Sequence, residues 1–116
     1  MGEEVIDSVT FDSLVEAMGA DFIGDLIDTY CEETPQLIAV VQRALAEGNA
    51  DELRRAAHSI KSSSASFGVL SYSALAREVE MMGKEGNLAA ARPKVERLAA
   101  DYALVERTLR ERQSEP

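Results

Sequence analysis

Apolar residues recur every three or four positions along most of the chain, which is the spacing of one buried helix face. Polar and charged residues fill the positions between them, and glycines mark the places where the pattern stops. The pattern predicts five helices, which run from Thr10 to Met18, from Asp21 to Glu47, from Asn49 to Phe67, from Ser71 to the Gly83–Gly86 turn, and from Leu88 onward.

Residues that commonly cap helices stand at several predicted starts. Thr10 or Asp12 is expected to cap the first helix. Asn49, with Glu52 three residues later, resembles a capping box for the third helix. Ser71 is the expected cap of the fourth helix.

Two prolines fall within the predicted helices. Thr34 followed by Pro35 resembles an N-cap and a first-turn proline, so this region is either two abutting helices or one helix kinked at the proline. We favour one long kinked helix. Pro93 lies too far in for a first-turn proline and is expected to loosen the start of the last helix. Residues 111–116 are polar and are expected to fray.

Four long helices joined by short turns pack with their neighbours antiparallel around one core. We therefore predict an all-α fold: an antiparallel up-down four-helix bundle with an additional short N-terminal helix. One domain is expected over residues 1–116, with an ordered core over about residues 10–112. The last helix has coiled-coil-like spacing, but one wall of the bundle is the favoured interpretation, and a monomer is expected.

Charge and composition narrow the class of partner. The net charge of −9 disfavours nucleic acid and membrane as partners, because phosphate backbones and anionic lipids repel an acidic protein. Cys31 is the single cysteine and is expected to be a small buried residue. No apolar run is long enough to span a membrane, and the acidic start lacks the basic region of a secretion signal. A soluble, cytoplasmic protein is expected, and Met1 favours a free protein over an excised domain.

The only histidine, His58, is predicted to face away from the apolar stripe of the third helix. Arg54, Lys61, Ser62 and Ala65 flank it on the helix surface. The two cations can donate charge-assisted hydrogen bonds to an anion on the imidazole, and phosphate is the obvious anion, so both are candidate phosphoryl-stabilising residues. The two small residues leave room for a partner to approach. The inward stripe is predicted to consist of Leu53, Ala56, Ala57, Ile60, Ser64 and Phe67.

Other interpretations of His58 fit less well. A lone surface histidine is most often a solvated polar residue, and that alternative stays open on these residues alone. A metal site needs three or four ligands, and one histidine with one cysteine leaves only carboxylates, none spaced as a calcium loop. A hydrolase triad needs a serine displayed in a pocket, whereas Ser59, Ser62 and Ser63 share the helix of His58.

The segment from His58 to Gly68 reads His-Ser-Ile-Lys-Ser-Ser-Ser-Ala-Ser-Phe-Gly. It resembles the motif of histidine-containing phosphotransfer (HPt) domains, roughly His-x-Leu-Lys-Gly-Ser-x-x-x-x-Gly. The resemblance extends from Phe11 through Arg112: a short helix, a long helix containing a proline, an Ala-Leu-x-x-Gly-Asn turn, the histidine helix and two closing helices. Ser62 departs from the motif, since the family usually has glycine there. This serine is expected to narrow partner choice or to add a hydrogen bond to the phosphoryl group.

The resemblance implies a role for each matching residue. His58 is the phosphoacceptor, and Lys61 is the cation that steadies the phosphoryl group. Glu80, on the next helix, hydrogen-bonds and orients the imidazole. The surface that a partner approaches is expected to include Ser62, Ala65 and Gly68.

The implied function is that of a phosphorelay intermediate of a two-component system, which shuttles a phosphoryl group between receiver-domain aspartates through His58. The expected partners are receiver domains of hybrid histidine kinases and response regulators. Neither kinase activity nor a cofactor of its own is expected, and Mg²⁺ is expected on the receiver. Val15, Met18 and Phe22 are candidates for receiver docking, with a core role as the alternative. The alternative function is an HPt-like binding module that docks a receiver or kinase without being phosphorylated.

Overall fold

The computed structural model describes residues 5–113, which form five α-helices and no strand. The helices are α1 (Ser8–Met18), α2 (Ala20–Glu47), α3 (Ala50–Ser66), α4 (Leu70–Glu85) and α5 (Leu88–Gln113). The predicted all-α class is confirmed. None of these five helices is long and apolar enough to cross a membrane.

One hydrophobic core holds the bundle together, and every helix contributes to it. The stripe predicted for α3 is buried. The apolar residues of α5 that recur every three or four positions are also buried, except for the partly exposed Leu88; the buried ones are Ala91, Val95, Leu98, Tyr102, Val105 and Leu109. Cys31 is buried, as expected. Burial of a large aliphatic side chain stabilises a fold by about 1.5–3 kcal/mol, and Ile27, Leu53 and Ile60 are among those with no exposed surface.

The four long helices follow one another around this core. Each packs against the next, α5 closes against α2, and the contact between α3 and α4 is the most extensive. The short α1 packs against α2 and one end of α3. The outer surfaces of α3 and α4 therefore form one continuous face of the molecule.

The first helix begins earlier than predicted. Asp7 caps it, because its carboxylate accepts a hydrogen bond from the backbone N–H of Thr10 at 3.1 Å and another from the Thr10 hydroxyl. The backbone N–H of Asp7 donates to the Gly68 carbonyl at 2.7 Å, which fixes the cap against the end of α3. The prediction of Thr10 or Asp12 as the cap is therefore wrong, since Asp7 caps a helix that already begins at Ser8.

The predicted cap of α3 is confirmed, and that of α4 is wrong. Asn49 Oδ1 accepts a hydrogen bond from the backbone N–H of Glu52 at 3.1 Å. The fourth helix already begins at Leu70, so Ser71 lies inside it. Val69 precedes the helix and is fully buried, so packing fixes the helix entry where a side-chain cap was expected.

The second helix runs unbroken through Pro35, which confirms the interpretation of one long helix. Proline has no N–H, so the carbonyl of Cys31, four residues earlier, has no intrahelical donor. The Tyr102 hydroxyl donates to that carbonyl across the bundle at 3.4 Å. The hydroxyl of the buried Tyr102 thus supplies the hydrogen bond that Pro35 cannot donate.

The last helix also contains its proline without a break. Pro93 lies within α5, so the loosened start that was predicted is wrong. Residues 111–113 are helical, which corrects the expectation that they fray. The remainder of that predicted tail, residues 114–116, lies outside the described residues.

Candidate functional site

His58 lies on the outer face of α3, near the middle of the helix. Its side chain is 55% exposed, whereas Ala57 and Ile60 on the inward face have no exposed surface. The helical period accounts for the difference, since successive side chains point in directions about 100° apart. The imidazole is therefore accessible on a helix that is otherwise held by the core.

Glu80 reaches this histidine from the neighbouring helix α4. Its Oε2 atom lies 2.7 Å from Nδ1 of His58, and its Oε1 atom lies 2.7 Å from Nζ of Lys61. The Glu80 side chain is only 16% exposed and that of Lys61 is 27% exposed. One carboxylate therefore holds two residues of α3 that lie one turn apart.

The ionised Glu80 carboxylate determines which nitrogen of a neutral imidazole carries the proton. Burial opposes the charge on this carboxyl group, but the contacts from Lys61 and His58 outweigh burial and hold the pKa of Glu80 below its ordinary value. A carboxylate can only accept hydrogen bonds, so in a neutral imidazole the proton lies on Nδ1. Nε2 then carries the lone pair, and it has no hydrogen-bond partner among residues 5–113.

The ammonium of Lys61 contacts Glu80 as an ion pair. Its Nζ atom lies 2.7 Å from Oε1, and this charged contact helps to lower the pKa of Glu80. The Ser73 hydroxyl donates to the Lys61 carbonyl at 2.8 Å, which fixes the backbone beneath the side chain. Lys61 is thus a positioned cation beside His58 whose N–H donors Glu80 does not use up.

Arg54 is directed towards the start of α3. Its guanidinium donates to Asp51 Oδ1 at 2.7 Å, and Arg55 lies 3.3 Å from the other oxygen of the same carboxylate. Among residues 5–113 no hydrogen bond or ion pair joins Arg54 to His58, so of the two predicted cations only Lys61 is held by the carboxylate that contacts the imidazole. Asp51 was not among the predicted site residues, although its spacing of three and four residues from the arginines is the signal of an ion pair on a helix.

The three residues predicted to form the partner-approach surface divide into two groups. Ser62 and Ala65 are exposed on the face of α3 that carries His58. Gly68 is buried, and a Cβ at this position would lie 2.8 Å from the Asp7 carbonyl oxygen and 3.0 Å from the Thr10 Cβ. Its φ of 80° also favours glycine. The assignment of Gly68 to the partner surface is therefore corrected: it is the residue on which α1 packs.

The three residues predicted for receiver docking also differ in exposure. Met18 and Phe22 are each 48% exposed, which argues against their alternative role in the core. Val15 is partly buried and packs against the core. Met18 ends α1 and Phe22 lies in the first turn of α2, so both lie near the α1–α2 junction.

Comparisons with known proteins identify the family to which this fold and this histidine motif belong. The Hpt domain family matches residues 25–108, a range that contains His58, Lys61 and Glu80. The chain belongs to the Hpt domain family. The crystal structure of histidine-containing phosphotransfer protein B (HptB) from Pseudomonas aeruginosa PAO1 is similar to this Hpt protein, with a TM-score of 0.89 and 25% sequence identity. The similarity covers 97% of this chain and 96% of that chain. No match was found among curated protein sequences.

Membership of the family sets the general function. Hpt domains perform histidine phosphotransfer in phosphorelays, they interact with receiver domains, and they are phosphotransfer modules rather than kinases. The resemblance noted in the sequence is confirmed, and this Hpt protein is a histidine phosphotransfer protein of signal transduction with a helical-bundle fold.

Proposed function

We propose that His58 is the phosphoacceptor of this Hpt protein and that it exchanges a phosphoryl group reversibly with the active-site aspartates of receiver domains. The observation that carries this proposal is the 2.7 Å contact between Glu80 Oε2 and Nδ1, because it leaves Nε2 as the free nucleophile on an exposed ring. His58 is the only histidine of the chain, so a phosphohistidine has one possible location.

In the transfer step, Nε2 of His58 attacks the phosphorus atom of an aspartyl phosphate. The N–P bond forms as the P–O bond to the receiver aspartate breaks, and the aspartate leaves as a carboxylate. The proton on Nδ1 stays in place, so the phosphorylated ring carries positive charge. The Glu80 carboxylate, 2.7 Å from Nδ1, stabilises that charge. The reverse sequence delivers the phosphoryl group to a second receiver.

Lys61 supplies the positive charge that this protein contributes to the transfer, whereas the receiver contributes the Mg²⁺ ion. Phosphoryl transfer passes through a loose transition state, in which catalysis consists mainly of positioning and charge neutralisation. The Lys61 ammonium is held 2.7 Å from Glu80 by an ion pair, and its remaining N–H donors are available to the phosphoryl oxygens on His58. Arg54 contributes only if it exchanges Asp51 for the phosphoryl group.

The receiver domain supplies the aspartyl phosphate and the Mg²⁺ ion, which is bound on that partner. Ser62 and Ala65 allow its active site to approach His58 closely, because both are small and exposed. The exposed side chains of Met18 and Phe22 offer the receiver an apolar contact at the α1–α2 junction. Receiver domains of hybrid histidine kinases and of response regulators are the partners that this chemistry requires.

The test is phosphoryl transfer from a receiver domain labelled on its aspartate, in the presence of Mg²⁺. We expect the wild-type protein to take up label that is labile in acid and stable in base, as phosphohistidine is. His58→Gln keeps a polar side chain of similar size and should take up none. Return of the label to a second, unlabelled receiver would establish the reverse step.

Two outcomes would contradict the proposal. Label that persists in His58→Gln would place the phosphoryl group elsewhere. A wild-type protein that binds several receivers but never takes up label would be a binding module that docks its partner without phosphotransfer.

A further inference from the structure

Gly83 lies on α4 where that helix packs closely against the first turns of α3. It is buried one turn after Glu80, and a Cβ at this position would lie 2.9 Å from Leu53 Cδ2. That Cβ would also lie 3.1 Å from the Ala50 carbonyl oxygen and 3.2 Å from the Arg54 Cα. Two of these three atoms belong to the backbone, which cannot move without moving α3. The missing side chain therefore allows the two helices to come this close.

The same pair of helices carries the phosphotransfer site. Glu80 precedes Gly83 by about one turn, and His58 follows Arg54 by about one turn, so the contact and the site are neighbours along one helix–helix seam. The carboxylate of Glu80 spans this seam to two atoms of α3, each 2.7 Å away. Hydrogen bonds weaken over a few tenths of an ångström, so the helix separation decides whether the carboxylate reaches the imidazole.

We propose that Gly83 is a positioning residue, whose lack of a side chain sets the α3–α4 separation that places Glu80 Oε2 on Nδ1 of His58. Gly83 touches no reacting atom and acts through Glu80. The expected effect on transfer rests on the proposed function, whereas the expected effect on the imidazole tautomer does not.

Gly24 offers a matched control within α2. It is also a helical glycine, but a Cβ there would meet only Gln113 Nε2, at an ordinary contact distance of 3.9 Å. Gly24→Ala and Gly83→Ala make the same chemical change and gain the same helix propensity. Only Gly83→Ala presses on a neighbouring helix.

The test compares these two variants by nitrogen NMR of the imidazole ring, which gives signals from His58 alone. Glu80→Asp, whose carboxylate is withdrawn by one methylene group, supplies the reference for a loosened contact. We expect Gly83→Ala to shift both ring nitrogens towards their Glu80→Asp values and to slow transfer by about tenfold. Gly24→Ala should match the wild type in both measurements.

Identical nitrogen shifts in Gly83→Ala and Gly24→Ala would overturn the proposal. A Gly83→Ala protein that does not fold even at low temperature would also overturn it, because the glycine would then serve the packing as a whole. Failure of the proposed function looks different: the wild type would take up no label, while the nitrogen shifts would still separate the two glycine variants.

Discussion

The two faces of α3 use polar side chains in opposite ways. On the inner face, Ser64 is fully buried and its hydroxyl is paired with that of Tyr30 at 2.8 Å. On the outer face, Glu80 is shared between His58 and Lys61, and both keep hydrogen-bonding capacity that no residue in the range 5–113 uses. The inner pair is buried and bonded within the chain, whereas the outer cluster is accessible to a partner.

The pKa values of Tyr30 on the inner face and Glu80 on the outer face reflect the same difference between the two faces. Burial raises the pKa of Tyr30 to about 12, so its hydroxyl stays protonated and serves only as a hydrogen-bonding group. The pKa of Glu80 is lowered although burial opposes its charge, because Lys61 and His58 contact the carboxylate. A buried pair that no partner can reach can stabilise only the fold. An accessible cluster with unused donors and a free lone pair can act on a partner.

The largest effect is expected from removing the charge of Glu80 on the outer face. Glu80→Gln keeps an oxygen that can accept from Nδ1, but it loses the charge that stabilises the phosphorylated ring and pairs with Lys61. A hydrogen bond to a charged group contributes about 1.5–3 kcal/mol, so the rate of transfer from a phosphorylated receiver should fall about tenfold to a hundredfold. Rapid labelling of the two proteins measures this rate.

Glu78→Gln is the matched control for that experiment. Glu78 lies two residues earlier on α4, is exposed, and pairs with Lys94 of α5 at 2.9 Å. It should transfer like the wild type, because its carboxylate does not contact the imidazole. Equal rates in Glu80→Gln and Glu78→Gln would remove the basis for assigning a special role to the outer cluster.

A smaller effect, on stability alone, is expected from the inner face. Tyr30→Phe leaves the buried Ser64 hydroxyl without this partner, and Ser64→Ala removes one of the two hydrogen-bond partners of Tyr30, the other being Thr34. Each change should lower the free energy of unfolding by about 1–2 kcal/mol, measured by chemical denaturation. Transfer from a phosphorylated receiver should be unchanged in both, because neither residue contacts His58.

The double variant shows whether the pair acts as a unit. With both hydroxyls removed, neither member of the pair is left without the other, so Tyr30→Phe with Ser64→Ala should cost less than the sum of the two single changes, by about 1 kcal/mol. Additive losses would mean that the two hydroxyls do not depend on each other. A slower transfer rate in either single variant would contradict the prediction that the inner face of α3 affects stability alone.

The helices could be predicted from the sequence because apolar spacing is a local property. Two of their starts were predicted wrongly. The Asp7 cap was missed although its contact with Thr10 spans only three residues, because the apolar pattern that marks α1 begins at Phe11. Val69 enters α4 by packing into the core, and that start depends on distant segments that no short window of sequence contains. Asn49 could be predicted because its cap is entirely local.

The candidate site likewise contains one residue that local spacing could predict and one that it could not. The outward direction of His58 follows from the helical period, and its exposure agrees with it. The partner on α4 does not follow from the period, because the register between two helices depends on contacts such as the one at Gly83. Only the family resemblance pointed to Glu80. The motif also misled once, since Gly68 was assigned to the surface although its close contact with Asp7 buries it.

The smallest effect is expected from Ser62→Gly, on the outer face next to Lys61. Ser62 is exposed, and its hydroxyl has no hydrogen-bond partner among the described residues. Both serine and glycine are small enough to let a receiver approach. The transfer rate should therefore stay within about tenfold of the wild type, which corresponds to about 1.4 kcal/mol of barrier. The rate is measured with the same labelled receiver.

Ser62→Ala separates the two changes that Ser62→Gly combines. Alanine removes the hydroxyl but keeps the Cβ and strengthens the helix, whereas glycine also loosens the backbone that carries Lys61. A slow Ser62→Gly beside a normal Ser62→Ala would trace the loss to the backbone. If both variants were inactive, the prediction would be contradicted, and the Ser62 hydroxyl would join the outer cluster as a donor to the phosphoryl group.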